Sequence, residues 1–74
     1  MIRNIQDYVQ IAANGGGMRL KATDFTVINL VQIAAQASGK GSRLFITDID
    51  RLSQQDLVQI ASNGKGCVVF DFSN

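Results

Sequence analysis

The chain has 74 residues, 46% of them apolar and 18% charged, with a formal net charge of +1. This composition is typical of a globular protein, here one domain spanning residues 1–74, and excludes a disordered chain. A single cysteine, Cys67, and no histidine exclude an intramolecular disulfide and a zinc site of the usual kind. The charge gives no reason to expect a nucleic-acid or membrane partner, and no apolar stretch reaches the ~20 residues of a membrane span. We therefore expect a cytoplasmic protein without a cofactor.

A four-residue motif, Val-Gln-Ile-Ala, occurs three times, at residues 9–12, 31–34 and 58–61. Each copy follows a small polar residue and precedes a pair of glycines and a short extended-looking run. Self-similarity of this kind indicates one supersecondary unit used three times, over about residues 4–25, 26–52 and 53–74. Each unit is predicted to consist of a helix, a glycine turn and a strand.

The helix starts carry capping signals. Each has a good N-cap residue followed three positions later by Asp or Asn: Asn4 and Asp7, Thr26 and Asn29, Ser53 and Asp56. The cap side chain can accept from free amides of the first turn, and a carboxylate three residues on can complete a capping box. A glycine after each helix is expected at the C′ position, since it adopts positive φ without steric cost.

Short strands are predicted over residues 18–23, 43–47 and 68–72, where apolar runs are bounded by glycine and polar residues. Strands separated by helices indicate a parallel sheet with right-handed crossovers. The predicted fold class is α/β: three helix–turn–strand repeats forming a small, solenoid-like, three-stranded parallel sheet with its helices mainly on one face. The repeat favours strand order 1-2-3. Order 2-1-3, which would place the second and third helices on opposite faces, stays open.

Counting each strand from the second glycine of its turn predicts which side chains face away from the helices. In the second and third units this face includes four apolar residues, Phe45, Val68, Phe70 and Phe72. An exposed cluster of this kind usually marks an interface, and the last strand would be an uncovered edge. We expect a homodimer that forms through this face or through the last strand. The alternative is that the first helix or the C-terminal residues cover the face within the monomer.

Four aspartates, Asp24, Asp48, Asp50 and Asp71, fall near the C-terminal ends of the predicted strands. Open α/β sheets place their ligands at that edge, and carboxylates there could hold Mg²⁺. Aspartate is equally a common turn residue, and turn chemistry is the default interpretation. A small-ligand or magnesium-binding function at this edge is therefore the alternative, and no metal ligand is assigned.

Residues 52–64, Leu-Ser-Gln-Gln-Asp-Leu-Val-Gln-Ile-Ala-Ser-Asn-Gly, resemble the first half of a transcription-activator-like effector repeat. The resemblance implies that the loop at Asn63 and Gly64 would read DNA bases. Those repeats continue into a second helix, whereas residues 67–72 here are strand-like, and we interpret the match as convergence on a well-capped helix. The whole chain resembles small bacterial proteins of unassigned function built from Asp-Leu-Val-x-Ile-Ala and Gly-x-Gly repeats. That resemblance implies no activity.

No set of catalytic residues is present in the sequence, and we expect no enzyme. The predicted function is a non-enzymatic module for self-association or protein binding. Its predicted interaction surface is Phe45, Val68, Phe70 and Phe72.

Overall fold

A computed structural model of the protein describes residues 4–73. Three helices alternate with three strands in the order α1 (Ile5–Ala13), β1 (Met18–Lys21), α2 (Val27–Ala37), β2 (Leu44–Thr47), α3 (Gln54–Gly64) and β3 (Val68–Phe70). A 3-10 turn, Ala22–Asp24, directly follows β1. The predicted α/β class and the alternating order of helices and strands are confirmed.

The strands form one parallel sheet in the order β1-β2-β3, which confirms the favoured strand order. Leu44 of β2 lies opposite Met18 of β1 on one side and Val68 of β3 on the other. Helix α2 packs against both α1 and α3. Crossovers of the same hand between strands that pair in chain order keep successive helices on one face of the sheet.

All three helices begin where the sequence predicts. The side chain of Asn4 accepts from the amide of Gln6 at 2.9 Å, and the hydroxyl of Thr26 accepts from the amide of Asn29 at 3.1 Å. Ser53 and Asp56 form a reciprocal capping box, with both bonds at 3.1 Å. A cap of this type stabilises a helix by about 1 kcal/mol, so the starts are determined locally.

The helix ends follow the glycine prediction after all three helices, and after α3 the glycine is Gly66, which has φ of 96° and follows the C-cap residue Lys65. Gly15 and Gly39 have φ of 88° and 75° shortly after α1 and α2. In the third unit Gly64 remains within α3, and Lys65 takes the left-handed conformation with φ of 51°. Gly64 is needed for another reason, because a Cβ there would lie 2.5 Å from Cγ2 of Val68.

The core lies between the helices and one face of the sheet. From the strands, Leu20, Leu44 and Ile46 point into it and are at most 4% exposed. The central helix α2 contributes four fully buried residues, Leu30, Ile33, Ala34 and Ala37. Each large aliphatic side chain buried in this way contributes about 1.5–3 kcal/mol, so α2, covered from both sides, anchors the domain.

The predicted orientation of β3 is wrong. Val68 and Phe70 pack against the buried core, and Val69 lies opposite Phe45 on the open face, the side of the sheet away from the helices. The glycine turns differ in length, so counting from the glycine misassigned the register. The paired residues Met18, Leu44 and Val68 stand one, three and two positions after the second glycine of their turns. A shift of one residue moves every side chain of a strand to the other face.

Two side chains tie neighbouring units together. The buried hydroxyl of Ser42 donates to the carbonyl of Ala12 in α1 at 2.7 Å. The guanidinium of Arg51 donates to the carbonyls of Ala22 and Phe25, in the turn that leads into α2. Both contacts satisfy backbone acceptors at the boundaries of secondary structure, where regular hydrogen bonding ends.

Candidate interaction surfaces

The open face carries a mixed surface in place of the predicted aromatic cluster. One row across the three strands consists of Arg19, Phe45 and Val69. Phe45 is 46% exposed and Val69 is half-buried. Lys21 and Thr47 form the next row. The apolar part of this face is therefore Phe45 with Val69, which is small compared with the ~800 Å² per partner of a standard interface.

Phe72 extends the apolar surface beyond the end of β3. It is 71% exposed, and its ring lies edge-on to that of Phe70, with centroids 6.4 Å apart. Of the four residues predicted for the interaction surface, Phe45 and Phe72 are exposed. Val68 and Phe70 are half-buried against the core.

Strand β3 forms one edge of the sheet. On its inner side, the carbonyl of Cys67 accepts from the amide of Leu44 at 2.8 Å, and the amide of Asp71 donates to the carbonyl of Ile46 at 2.9 Å. Because alternate residues of a strand direct their peptide groups to opposite sides, those of β3 residues 68 and 70 point away from β2. Within residues 4–73 no strand pairs with that side. An edge of this kind is a template for another strand.

The three helices form a row in the order α1, α2, α3. The two outer helices expose positions of the Val-Gln-Ile-Ala motif that are more buried in α2. At the isoleucine of Val-Gln-Ile-Ala, Ile33 in α2 and Ile60 in α3 are fully buried, whereas Ile11 in α1 is 40% exposed. Each buried isoleucine belongs to a helix that has a preceding helix as its neighbour. Among the described residues α1 has none. We define the α1 flank by Asp7, Gln10, Ile11 and Asn14, which line a shallow groove there.

At the other end of the helix row, in α3, the valine and the alanine of the motif are the exposed residues. At the valine of the motif, Val9 and Val31 are half-buried, whereas Val58 in α3 is 55% exposed. Ala61 is likewise exposed, although its equivalent Ala12 is fully buried. We define the α3 flank by Val58, Ala61 and the side chains that line the groove beside them, Gln54, Gln55, Asp56 and Gln59. Both flanks combine an apolar residue with amide side chains, which can donate and accept hydrogen bonds.

The aspartates at the C-terminal edge of the sheet occupy turns. Asp24 closes the 3-10 turn after β1, Asp48 adopts the left-handed conformation with φ of 54° after β2, and Asp50 lies in the turn before α3. These are positions where aspartate is a common turn residue. Within residues 4–73 no group of three or more His, Cys, Asp or Glu side chains is placed to hold a metal ion.

The carboxylate of Asp71 binds its own turn. It accepts from the amide of Ser73 at 2.9 Å and from the Ser73 hydroxyl. The hydroxyl bond, the amide bond and, more weakly, the positive charge of Arg19 lower the pKa of Asp71. The chain after β3 is thus held in a defined turn beside the exposed Phe72.

Cys67, the residue directly before β3, is buried. Its thiol lies 3.8 Å from the carbonyl of Ala34 in α2 and is 8% exposed. Burial raises the pKa of the Cys67 thiol, because the thiolate would lose its hydration. The residue therefore has the features of a small core side chain, and not those of an activated nucleophile.

No protein family, curated protein or solved structure matches this chain. The two resemblances drawn from the sequence therefore stay predictions. Strand β3 occupies the place where effector repeats have their second helix. None of the helices within residues 4–73 is long and apolar enough to cross a membrane.

Sequence reasoning considered the strand face and missed the helix flanks. The three copies of the motif in the sequence carry a relevant signal, because the outermost helices of a packed row expose the side that a neighbouring helix covers further in. Applied to the Val-Gln-Ile-Ala alignment, this rule would have selected Ile11 and Val58. The role of Arg51 had no comparable signal, since its acceptors are backbone carbonyls 29 and 26 residues away in the chain.

Proposed function

We propose that the protein is a non-enzymatic interaction module that self-associates through the edge of β3 and the apolar residues around it. The observation that carries the proposal is an unpaired edge strand next to exposed apolar side chains. Phe72 follows that strand at 71% exposure, and Phe45, at 46% exposure, lies beside Val69 on the open face.

The composition of the edge supports this function. Proteins that stay monomeric blunt their edge strands with charged residues, proline or bulges. Strand β3 reads Val-Val-Phe, without a charge, and the chain contains no proline. A net charge of +1 provides little repulsion between copies.

The size of the domain points the same way. A domain of 74 residues buries only roughly 60% of its unfolded surface, so its core provides a small margin of stability. Domains of this size gain stability from disulfides, metals or association. The single cysteine leaves no intramolecular disulfide, so association is a favourable source of additional burial.

We further infer that the chain is a short solenoid of three equivalent units. In support, the three motif copies fall at the same place in the three helices, because each begins five residues after a capping N-cap residue. The units also follow one another in space in chain order. In such a stack each unit contacts only its neighbours, so within residues 4–73 the outer side of the first and of the last unit has no neighbouring unit.

Self-association is tested by sedimentation equilibrium from about 1 μM to 1 mM, a range that covers weak interfaces. We expect the weight-average mass of the wild type to rise with concentration and that of Phe72→Ser to rise less. Ile28→Ser is the matched control, because Ile28 is a 73% exposed apolar residue on α2, away from β3. A wild type that remains at the mass of one chain over this range would refute the proposed function.

A further inference from the structure

We propose that the partner of the β3 edge is a second copy of this chain, docked head to tail. Strand β1 of the second copy pairs with β3 of the first, and the α1 flank of the second copy packs against the α3 flank of the first. Sheet and helix row then continue from one molecule into the next. This inference rests on the proposed self-association and adds its geometry. Four independent features of the described residues support it.

The first is the hydrogen-bonding pattern of the two sheet edges. At the inner side of β1, the amide of Met18 donates to the carbonyl of Arg43 at 2.9 Å. By alternation, the peptide groups of Arg19 and Lys21 point outward. Those of Val68 and Phe70 point outward from β3. In a parallel pair, the residues whose peptide groups point to the partner strand are offset by one position between the two strands. β2 and β3 pair in this way within the chain, where Leu44 lies opposite Val68 and its amide donates to the carbonyl of Cys67. The outward-pointing peptide groups of β3 and of β1 in a second copy can therefore pair in the same way.

The second feature is side-chain facing. If the internal register continues, Met18 and Leu20 of the second copy lie beside Val68 and Phe70 of the first. All four residues face the helix side of the sheet, where they belong to the core or pack against it. Continuation therefore extends the core across the junction, with these four apolar side chains on its helix side.

The third feature is the pair of helix flanks. Where two helices of one chain pack together, the motif isoleucine of the helix later in the chain is fully buried. The motif valine of the helix earlier in the chain is half-buried. At the junction, Ile11 of the second copy would meet Val58 and Ala61 of the first. These are the positions at which the internal contacts are missing. The two flanks are thus complementary to each other.

The fourth feature is charge. The continued register brings Lys21 of the second copy opposite Asp71 of the first, just beyond Phe70 and Leu20. Lys21 is the last residue of β1 and Asp71 directly follows β3, so the two charges lie at the ends of the two edge strands. An opposite-charge pair across neighbouring strands contributes favourably and selects this register over a shifted one.

The symmetry of this contact has a measurable consequence. Head-to-tail contacts use two different surfaces, so each added molecule presents a new free end. Assembly therefore continues beyond the dimer and gives a series of oligomers that lengthens with concentration. A dimer formed by two β3 edges would instead be antiparallel, symmetric and closed.

The test uses two variants that each block one end, Ile11→Lys and Val58→Lys. Both residues are exposed in the single chain, at 40% and 55%, so the lysines stay hydrated there and lose hydration only at the junction. We expect each variant alone to be monomeric by sedimentation velocity. An equimolar mixture should form a heterodimer and nothing larger, because only one pair of unblocked ends remains. Ile28→Lys, the same change on α2, should assemble like the wild type.

Each outcome decides between the two proposals. Two outcomes with an assembling wild type would refute the head-to-tail geometry and leave self-association standing. In the first, each blocked variant alone still assembles. In the second, the equimolar mixture of the two variants stays monomeric. If Ile28→Lys abolishes assembly as well, the effect is one of added charge and the geometry is again refuted. A monomeric wild type would overturn both proposals. Circular dichroism of each variant confirms that the chain is folded.

Discussion

Gly64 illustrates how one residue sets the packing of a unit. It is buried at the end of α3, and an added Cβ would lie 2.5 Å from Cγ2 of Val68 and 3.1 Å from Sγ of Cys67. The glycine lets α3 approach β3 and α2 closely, and Lys65 adopts the left-handed conformation in its place. The sequence predicts a turn glycine here, and the close approach could not be inferred because it depends on tertiary contacts.

Gly64→Ala should lower the free energy of unfolding by about 1–3 kcal/mol, the usual cost of overpacking a filled site. The gain in helix propensity from alanine, at most about 1 kcal/mol in a helix interior, is smaller at a helix end. Urea denaturation followed by circular dichroism measures the change. Ser62→Ala, at an exposed site of the same helix, should leave stability nearly unchanged. A Gly64→Ala protein as stable as the wild type would contradict the proposed close contact.

Cys67 should make stability depend on pH in the alkaline range. Burial raises the pKa of its thiol, so the folded state keeps the proton to a higher pH than the unfolded state. The free energy of unfolding is then unaffected below the usual thiol pKa of about 8.5 and falls as pH rises above it. Comparing urea denaturation of the wild type and Cys67→Ala at pH 7 and 9.5 isolates this effect. Identical pH dependence of the two proteins would contradict it.

At the level of elements, local signals and long-range contacts contributed differently to what could be predicted. Helix starts were predictable because capping depends on residues within one turn, as at Ser53 and Asp56. The existence and order of the strands were predictable because short extended-looking runs alternate with helical patterns along the chain. Strand facing in the third unit was not predictable from glycine positions, because turns of different length shift the register. Of the residues predicted to face away from the helices, Phe45 is exposed, whereas Val68 and Phe70 pack against the core.

Arg51 should be the main polar link between the turns before α2 and α3. Arg51→Met keeps much of the side chain's volume and removes the donors to Ala22 and Phe25, so we expect a loss of about 1–2 kcal/mol in the free energy of unfolding. Lys40→Met, at an exposed turn position, is the matched control and should change stability little. Equal urea midpoints for Arg51→Met and the wild type would show that the link contributes nothing.

At the level of the whole molecule, the row of helices α1, α2 and α3 has two unlike ends. The central helix is buried by both neighbours, whereas Ile11 and Val58 mark the sides on which the described residues provide no neighbour. From the sequence we expected self-association through the aromatic sheet face or through the last strand; the surface we propose is the edge of β3 together with the helix flanks, because Val68 and Phe70 pack against the core. That change follows from the register of one strand.

The central claim, self-association of a three-unit α/β chain, is tested most directly by the weight-average mass of the wild type in sedimentation equilibrium. We predict a mass that rises continuously with concentration above the 8.0 kDa of one chain, without a plateau at the dimer. A plateau at twice that mass would retain self-association and contradict the open, head-to-tail geometry. A mass that stays at 8.0 kDa up to about 1 mM, where even weak interfaces are occupied, would contradict the account as a whole.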